Sequence, residues 1–162
     1  PINAAQQSTR GFDLGVRYRW VTEGWGRWQV GAKYTRVQSF TYQQFAGDAA
    51  TNQVGTRDFT GWPTKLVATL DGSFGDWGAT LTSSRYGRIA DGDEGFVPPQ
   101  WLHNLSGSYQ LAKNTRLTLI FNNVANKTVR DDTGGWPFYP VGFYSPHGRQ
   151  GWVEFEHVFG GG

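Results

Sequence analysis

The sequence predicts an all-β fold, an antiparallel up-and-down meander of about seven membrane-crossing strands. Three observations carry that reading. Apolar and polar residues alternate with period 2 from end to end, which sends successive side chains to opposite faces of an extended strand. Aromatic residues make up 16% of the chain and Gly contributes 23 of 162 residues, a composition of strands and turns in which no amphipathic helix stands out. Connections between the alternating segments are short, then long, in strict succession.

The first strand is expected over 8–21, with Phe12, Leu14, Val16, Tyr18 and Trp20 on one face and Asp13, Gly15, Arg17 and Arg19 on the other. A short connection around Gly24-Trp25-Gly26 leads into a strand over 27–42, where Trp28, Val30, Ala32 and Tyr34 oppose Gln29, Gly31, Lys33 and Thr35. Its pattern is mixed from Arg36 to Tyr42. Residues 43–61 are small, polar and aperiodic, and read as a long loop. A third strand over 63–74 ends at Gly75-Asp76, a hairpin signal, and a fourth over 77–86 carries Trp77, Ala79 and Leu81 on one face. The loop 87–100 holds the Asp91-Gly92-Asp93-Glu94 run and the Pro98-Pro99 pair. Strands over 101–111 and 115–123 are joined by Ala112-Lys113-Asn114, with Ile120 the one apolar residue on the polar face of the latter. After the longest loop, 124–148, the last strand is expected over 149–159, with Val153, Phe155, His157 and Phe159 opposite Glu154 and Glu156. No repeat or linker divides residues 1–162, so a single domain is expected.

Alternation alone also suits a soluble β-sandwich, whose outer face is polar. Loop asymmetry favours a membrane barrel, because outer-membrane barrels keep short turns on the periplasmic side and long loops outside. Tryptophans agree with it: Trp20, Trp25 and Trp28 surround the first short turn, Phe74 and Trp77 flank the second, and Trp62, Trp101 and Trp152 fall at the opposite strand ends, as two aromatic girdles require. The polar face carries Asp13, Arg17, Arg19, Lys33, Arg116, Glu154 and Glu156, which a wetted lumen accepts. No stretch reaches the length of a spanning helix, so any crossing is by strands. In lipid every backbone group must be paired, so such a sheet has to close, and seven strands do not match the even counts of bacterial single-chain barrels. With no Met and a start at Pro1, the chain is expected to be a piece of something longer, cut in an outer loop, with an ascending strand upstream.

Several phrases, in order, resemble the C-terminal barrel segment of TonB-dependent outer-membrane receptors. They are Thr9-Arg10-Gly11-Phe12-Asp13-Leu14, the Gly75-Asp76-Trp77 hairpin, Val97-Pro-Pro-Gln-Trp101 with the strand up to Tyr109, the run from Asn114 to Lys127 with its Asn-rich end, and Gly148-Arg149 followed by the strand to Phe159. The resemblance implies a barrel of about 22 strands, location in the bacterial outer membrane, and energy-coupled nutrient uptake. It also implies a plug and the remaining barrel on a separate or upstream chain, TonB contact only through that missing part, and recognition of Val153, Phe155, His157 and Phe159 by the barrel-assembly machinery. Gly160-Gly161-Gly162 after Phe159, and His157 where an aromatic residue is usual, depart from the family pattern. A passive outer-membrane pore and a soluble β-sandwich binding module are the alternative readings.

No catalytic constellation is present, since His103, His147 and His157 fall on different elements and no Ser-His-Asp order appears. No enzyme activity and no cofactor are expected. The absence of Cys removes disulfides and thiolate metal sites, and a net charge of +2 gives no argument for nucleic acid. Asp91 to Glu94 offers hard oxygen ligands for calcium but lacks EF-hand spacing, and solvated loop charge is the simpler reading. In the longest loop Trp136, Phe138, Tyr139, Phe143 and Tyr144, spaced by Pro137, Pro140 and Pro146, form a surface for stacking on a ligand; the alternative is that these rings pack against neighbouring loops. Arg85 and Arg88 are placed to meet an anionic ligand or lipopolysaccharide phosphate. Outer-membrane lipid is the expected surround.

Overall fold

The structure is a computed structural model that describes residues 6–45, 47–91, 95–130, 136 and 138–160. Gly92 to Glu94, Asp131, Asp132, Pro137 and the last two glycines lie outside the described residues, and with them the calcium reading and most of the glycine tail.

Among the described residues the strands are β1 (Gln6–Thr22), β2 (Gly26–Gln43), β3 (Thr51–Asn52), β4 (Thr64–Phe74), β5 (Trp77–Tyr86), β6 (Ile89–Asp91), β7 (Gly95–Val97), β8 (Gln100–Ala112), β9 (Thr115–Asn122) and β10 (Gln150–His157). The seven long strands lie in one antiparallel sheet in the order β1-β2-β4-β5-β8-β9-β10, with β3 added beside β2, while β6 and β7 make a separate hairpin. Consecutive long strands are therefore sheet neighbours, and among the described residues the fold is a meander without helix. Short turns stand at one end of the sheet and long connections at the other.

Period 2 places the side chains as the alternation requires. Cross-strand partners share a face, so Tyr18, Val30, Leu70, Leu81, Leu105 and Phe121 form one apolar row, and Arg19, Gln29, Asp71, Thr80 and Ser106 form the polar row beside it. The hollow of the curved sheet is lined by the polar rows, including Arg17, Arg19, Asp71, Thr80, Ser106 and Arg116. Apolar rings and aliphatic chains point outward, and Leu14, Val16, Tyr18, Val153 and Phe155 are each more than 60% exposed. In water such exposure would be a liability; it is what a lipid-contacting face looks like.

The mixed pattern after Arg36 has a structural cause. The β1–β2 register shifts between Arg10, opposite Ser39, and Gly11, opposite Val37, which leaves Gln38 as the extra residue of a β-bulge. One added residue inverts the facing of everything beyond it. Phe40 is thereby turned to the inner face, where its ring meets Phe59 at 5.5 Å. Asn52 holds the following loop against it, its Oδ1 accepting from the backbone N–H of Phe40 and of Val54.

The aromatic girdle near the short turns is built by stacking: Tyr18 on Trp20 at 5.6 Å and Trp20 on Trp28 at 6.4 Å, with Trp28 Nε1 donating to the Trp25 carbonyl at 3.0 Å. Gly72 makes room for this, since a Cβ there would lie 2.7 Å from the Trp28 ring. Trp77 and Tyr109 continue the belt at 4.5 Å. Gly75, at φ 54, supplies the left-handed residue of the hairpin between them.

Two tryptophans assigned to the other girdle sit elsewhere. Trp62 is drawn into a cluster under the outer loops, because Tyr86, Phe143 and Tyr144 offer it three ring contacts. Trp152 pairs with Ile120, so it lies on the inner face and gives that apolar residue an apolar neighbour. Trp101 alone keeps the outward place, stacked on His103 at 6.1 Å. The last strand also stops at His157, short of Phe159, because Asn114 captures Val158 from both sides: Val158 N donates to the Asn114 carbonyl and Asn114 Nδ2 to the Val158 carbonyl.

Candidate functional site

Two regions carry polar or recognition chemistry: the inner wall and the outer loops. On the wall, Arg19 Nε donates to Gln29 Oε1, Gln29 Nε2 donates to Asp71 Oδ2 at 3.3 Å, and Thr80 Oγ1 donates to Asp71 Oδ1 at 2.8 Å. The chain of bonds crosses four strands on one row of the register, which fixes the side chains as a ladder. Nearer the loops, Thr35 Oγ1 donates to Asp13 at 2.5 Å and Lys33 Nζ stands 3.6 Å from the same carboxylate. Both partners of that ion pair are more than half exposed, so water screens it and it adds little to stability. Among the described residues no three His, Cys, Asp or Glu side chains gather as a metal site.

The outer loops pack on one another. Ile89 of β6, Val97 of β7, Val129 and Tyr144 are buried together, with Trp62, Tyr86, Leu102 and Phe143 against them. Ile89 and Val97 face each other across the hairpin, which explains why residues 87–100, read as loop, form strands at all. Lys65 Nζ stands 5.2 Å from the Tyr86 ring centre and 5.8 Å from that of Trp62, a cation–π contact that caps the cluster. Trp62 Nε1 and Tyr144 Oη are buried without a hydrogen-bond partner. Burial pushes the Tyr144 hydroxyl above its ordinary 10.0, opposed by the neighbouring Trp62 N–H, although the two form no hydrogen bond.

The longest loop is clamped at its root by asparagines. Asn123 and Asn126 adopt left-handed φ values of 51 and 53, which Asn tolerates better than most residues. Asn123 Nδ2 donates to the Lys127 carbonyl, Lys127 N donates to Asn123 Oδ1, and Asn123 N donates to Asn104 Oδ1. Asn126 Oδ1 accepts from Arg149 N at 2.8 Å, tying the start of the loop to its end.

The aromatic residues singled out from the sequence divide between the two readings. Trp136 is 86% exposed and Phe138 50%, with Tyr139 half-buried, whereas Tyr144 is 7% exposed inside the loop cluster. Arg85 and Arg88 border a recess with Thr64, Phe96 and Pro99, apart from the loop aromatics, and the Arg88 guanidinium lies 4.6 Å over Phe96. On the last strand Val153 and Phe155 point outward; His157 Nδ1 is hydrogen-bonded to Thr115 Oγ1 at 2.8 Å and its ring meets Phe159 edge-on at 4.4 Å. Sequence reasoning missed Trp62, Lys65, Ile89, Val97 and Val129 as a loop core. Only the alternation in Ile89-Ala90-Asp91 and Gly95-Phe96-Val97 signalled it.

A curved meander with a charged inner wall, an apolar outer face and aromatic belts is a segment of an outer-membrane β-barrel. The chain belongs to the TonB-dependent receptor-like β-barrel family, whose model matches residues 1–124. Among solved structures, the copper transporter OprC superposes with a TM-score of 0.62 at 19% identity, over 94% of this chain and 24% of that protein. At that identity the likeness concerns the fold, and the chain spans about a quarter of the transporter it matches. No curated protein sequence matches the chain.

Proposed function

We propose that the chain is the C-terminal wall segment of a TonB-dependent transporter that takes up a scarce nutrient across the outer membrane by energy-coupled displacement of a plug. The observation that carries this is the sheet itself. Its hollow side is a hydrogen-bonded polar ladder and its outer side an apolar belt, while β1 and β10 stand at the two ends of the strand order. Such a sheet is stable in lipid only when further strands complete the ring. Those strands, the plug and the TonB contact belong to the rest of the protein.

Within this reading the exposed rings of Trp136, Phe138 and Tyr139 meet the ligand, and Tyr144 acts from below by ordering the loop. Arg85 and Arg88 meet anionic groups at the outer rim. Val153, Phe155, His157 and Phe159 form the strand that the barrel-assembly machinery recognises, with the His157–Phe159 ring contact standing where two aromatic residues are usual. No catalytic step is assigned.

The test compares growth on a panel of limiting nutrients for strains lacking the full-length gene and strains lacking TonB function. Loss of growth on the same nutrient in both supports the transporter. Growth independent of TonB, together with steady conductance in a planar bilayer, would identify a passive pore. A folded monomer that stays in the aqueous phase without detergent would establish the soluble module instead.

A further inference from the structure

Resting on the barrel reading, the register makes a sharper statement about the outward face. Among the seven long strands, charged residues on the inner face are Asp13, Arg17, Arg19, Arg27, Lys33, Lys65, Asp71, Arg116, Glu154 and Glu156, a mixture of both signs. The outward face carries Arg10, opposite Ser39; Arg36, opposite Phe12 and Thr64; and Arg85, opposite Leu66 and Trp101. All are arginines, and no carboxylate of these strands shares their face. All three lie at the end of the sheet that bears the long loops.

Their depth is consistent. Arg36 is eight residues beyond Trp28 and Arg85 eight beyond Trp77, both of the inner-leaflet girdle. Eight residues advance about 26 Å along a strand, or about 20 Å along the membrane normal at a tilt near 40°. That is within about 5 Å of the top of an apolar band about 25 Å tall, from where a long side chain can lift its guanidinium to the headgroups. Strand spacing puts the Cα atoms of Arg10 and Arg36 about 8 Å apart, and those of Arg36 and Arg85 about 12 Å apart. Arg10 and Arg85, the outermost pair, are then about 20 Å apart, so one headgroup meets all three side chains only if it is as wide as a disaccharide with a phosphate at each end. None of the three guanidinium groups is hydrogen-bonded or ion-paired to another described residue, whereas the side chains of inner-face Arg19 and Lys33 are engaged.

We propose that Arg10, Arg36 and Arg85 form an outward-facing site for a phosphate-bearing glycolipid of the outer leaflet, of the lipid A type. Guanidinium forks bind phosphate oxygens in bidentate fashion. The aliphatic and aromatic residues below, Phe12, Leu14, Tyr34 and Leu66, lie along the acyl chains. Thr64 and Ser39, on the same face, add hydroxyl donors.

The test uses the full-length protein folded in detergent, titrated with bisphosphorylated lipid A, with lipid A stripped of phosphate, and with inorganic phosphate, bound lipid being counted by native mass spectrometry. Wild type should bind the bisphosphorylated lipid about tenfold or more tightly than the stripped one, and R10Q/R36Q/R85Q should lose about tenfold or more. R17Q, which removes an inner-face cation, should stay within about twofold, and millimolar inorganic phosphate should not compete. Should the triple variant lack the heat-modifiable gel mobility of a folded barrel, R36Q and R85Q singly carry the test, each with about a threefold loss. Unchanged binding by the variants, equal binding of stripped lipid, an equal loss in R17Q, or displacement by inorganic phosphate would each overturn the site. A wild-type protein without heat-modifiable mobility refutes the barrel reading itself; a folded wild-type barrel whose variants bind unchanged refutes only this inference.

Discussion

Asn123 shows how much one side chain does at the root of the longest loop. It is 9% exposed, sits at positive φ, and its amide satisfies both a donor and an acceptor of Lys127. An aliphatic residue there would lose two hydrogen bonds and add backbone strain. Tyr144 offers a pH handle at the same scale. Its hydroxyl is held neutral by burial, so its folded-state pKa lies above that of the unfolded chain. The sign follows from proton linkage: below the unfolded value of about 10 the group costs nothing, and as pH rises through the folded value the packed loop core loses stability, because the unfolded chain releases that proton more readily. In the full-length protein, the ultraviolet difference spectrum between wild type and Tyr144→Phe should therefore show one phenol titrating later than an ordinary tyrosine. A difference spectrum centred at the ordinary value would refute the burial. Neither role was legible in the sequence: Asn-rich and aromatic runs are visible there, but which ring is buried depends on Trp62 and Tyr86, far away along the chain.

At the scale of elements, the bulge at Gln38 decides what β2 presents above the membrane. Inserting one residue between Arg10 and Gly11 would give Gln38 a partner, restore unbroken alternation in β2 and carry Phe40 and Tyr42 to the outward face. The Phe40–Phe59 contact would be lost, at a cost of about 0.5–1.5 kcal/mol beyond the lost burial. The expected outcome is a protein that still assembles, with the loop after β2 cut by protease at lower concentration than in wild type. An unchanged digestion pattern would count against the bulge as the cause of loop placement. Strand existence was readable from period 2 because each long strand repeats the signal many times. The β6–β7 hairpin was not, since three-residue strands carry too little period to stand out, and the boundary at His157 depends on capture of Val158 by Asn114, 44 residues away.

At the scale of the whole molecule, the two ends of the sheet dominate. β1 offers a 17-residue edge and β10 an 8-residue edge. About half the backbone groups of an edge strand point away from the sheet, and each unpaired group costs several kcal/mol in hydrocarbon. The 162-residue chain expressed alone should thus give no heat-modifiable monomeric band in detergent, migrating as aggregate or higher assemblies. A compact heat-modifiable monomer would mean that the sheet closes on itself, and would overturn the assignment to a larger ring.

The class of fold, the two faces of each long strand and the asymmetry of the connections are legible from the residues alone, because alternation and turn chemistry are local and repeat along the chain. Tertiary structure decided where Trp62 and Trp152 lie, that the outer loops share a core around Ile89, Val97, Val129 and Tyr144, and that Arg10, Arg36 and Arg85 converge on one outward patch. Those placements depend on register between strands distant in sequence. A single bulge or pairing offset resets them while leaving every local pattern intact.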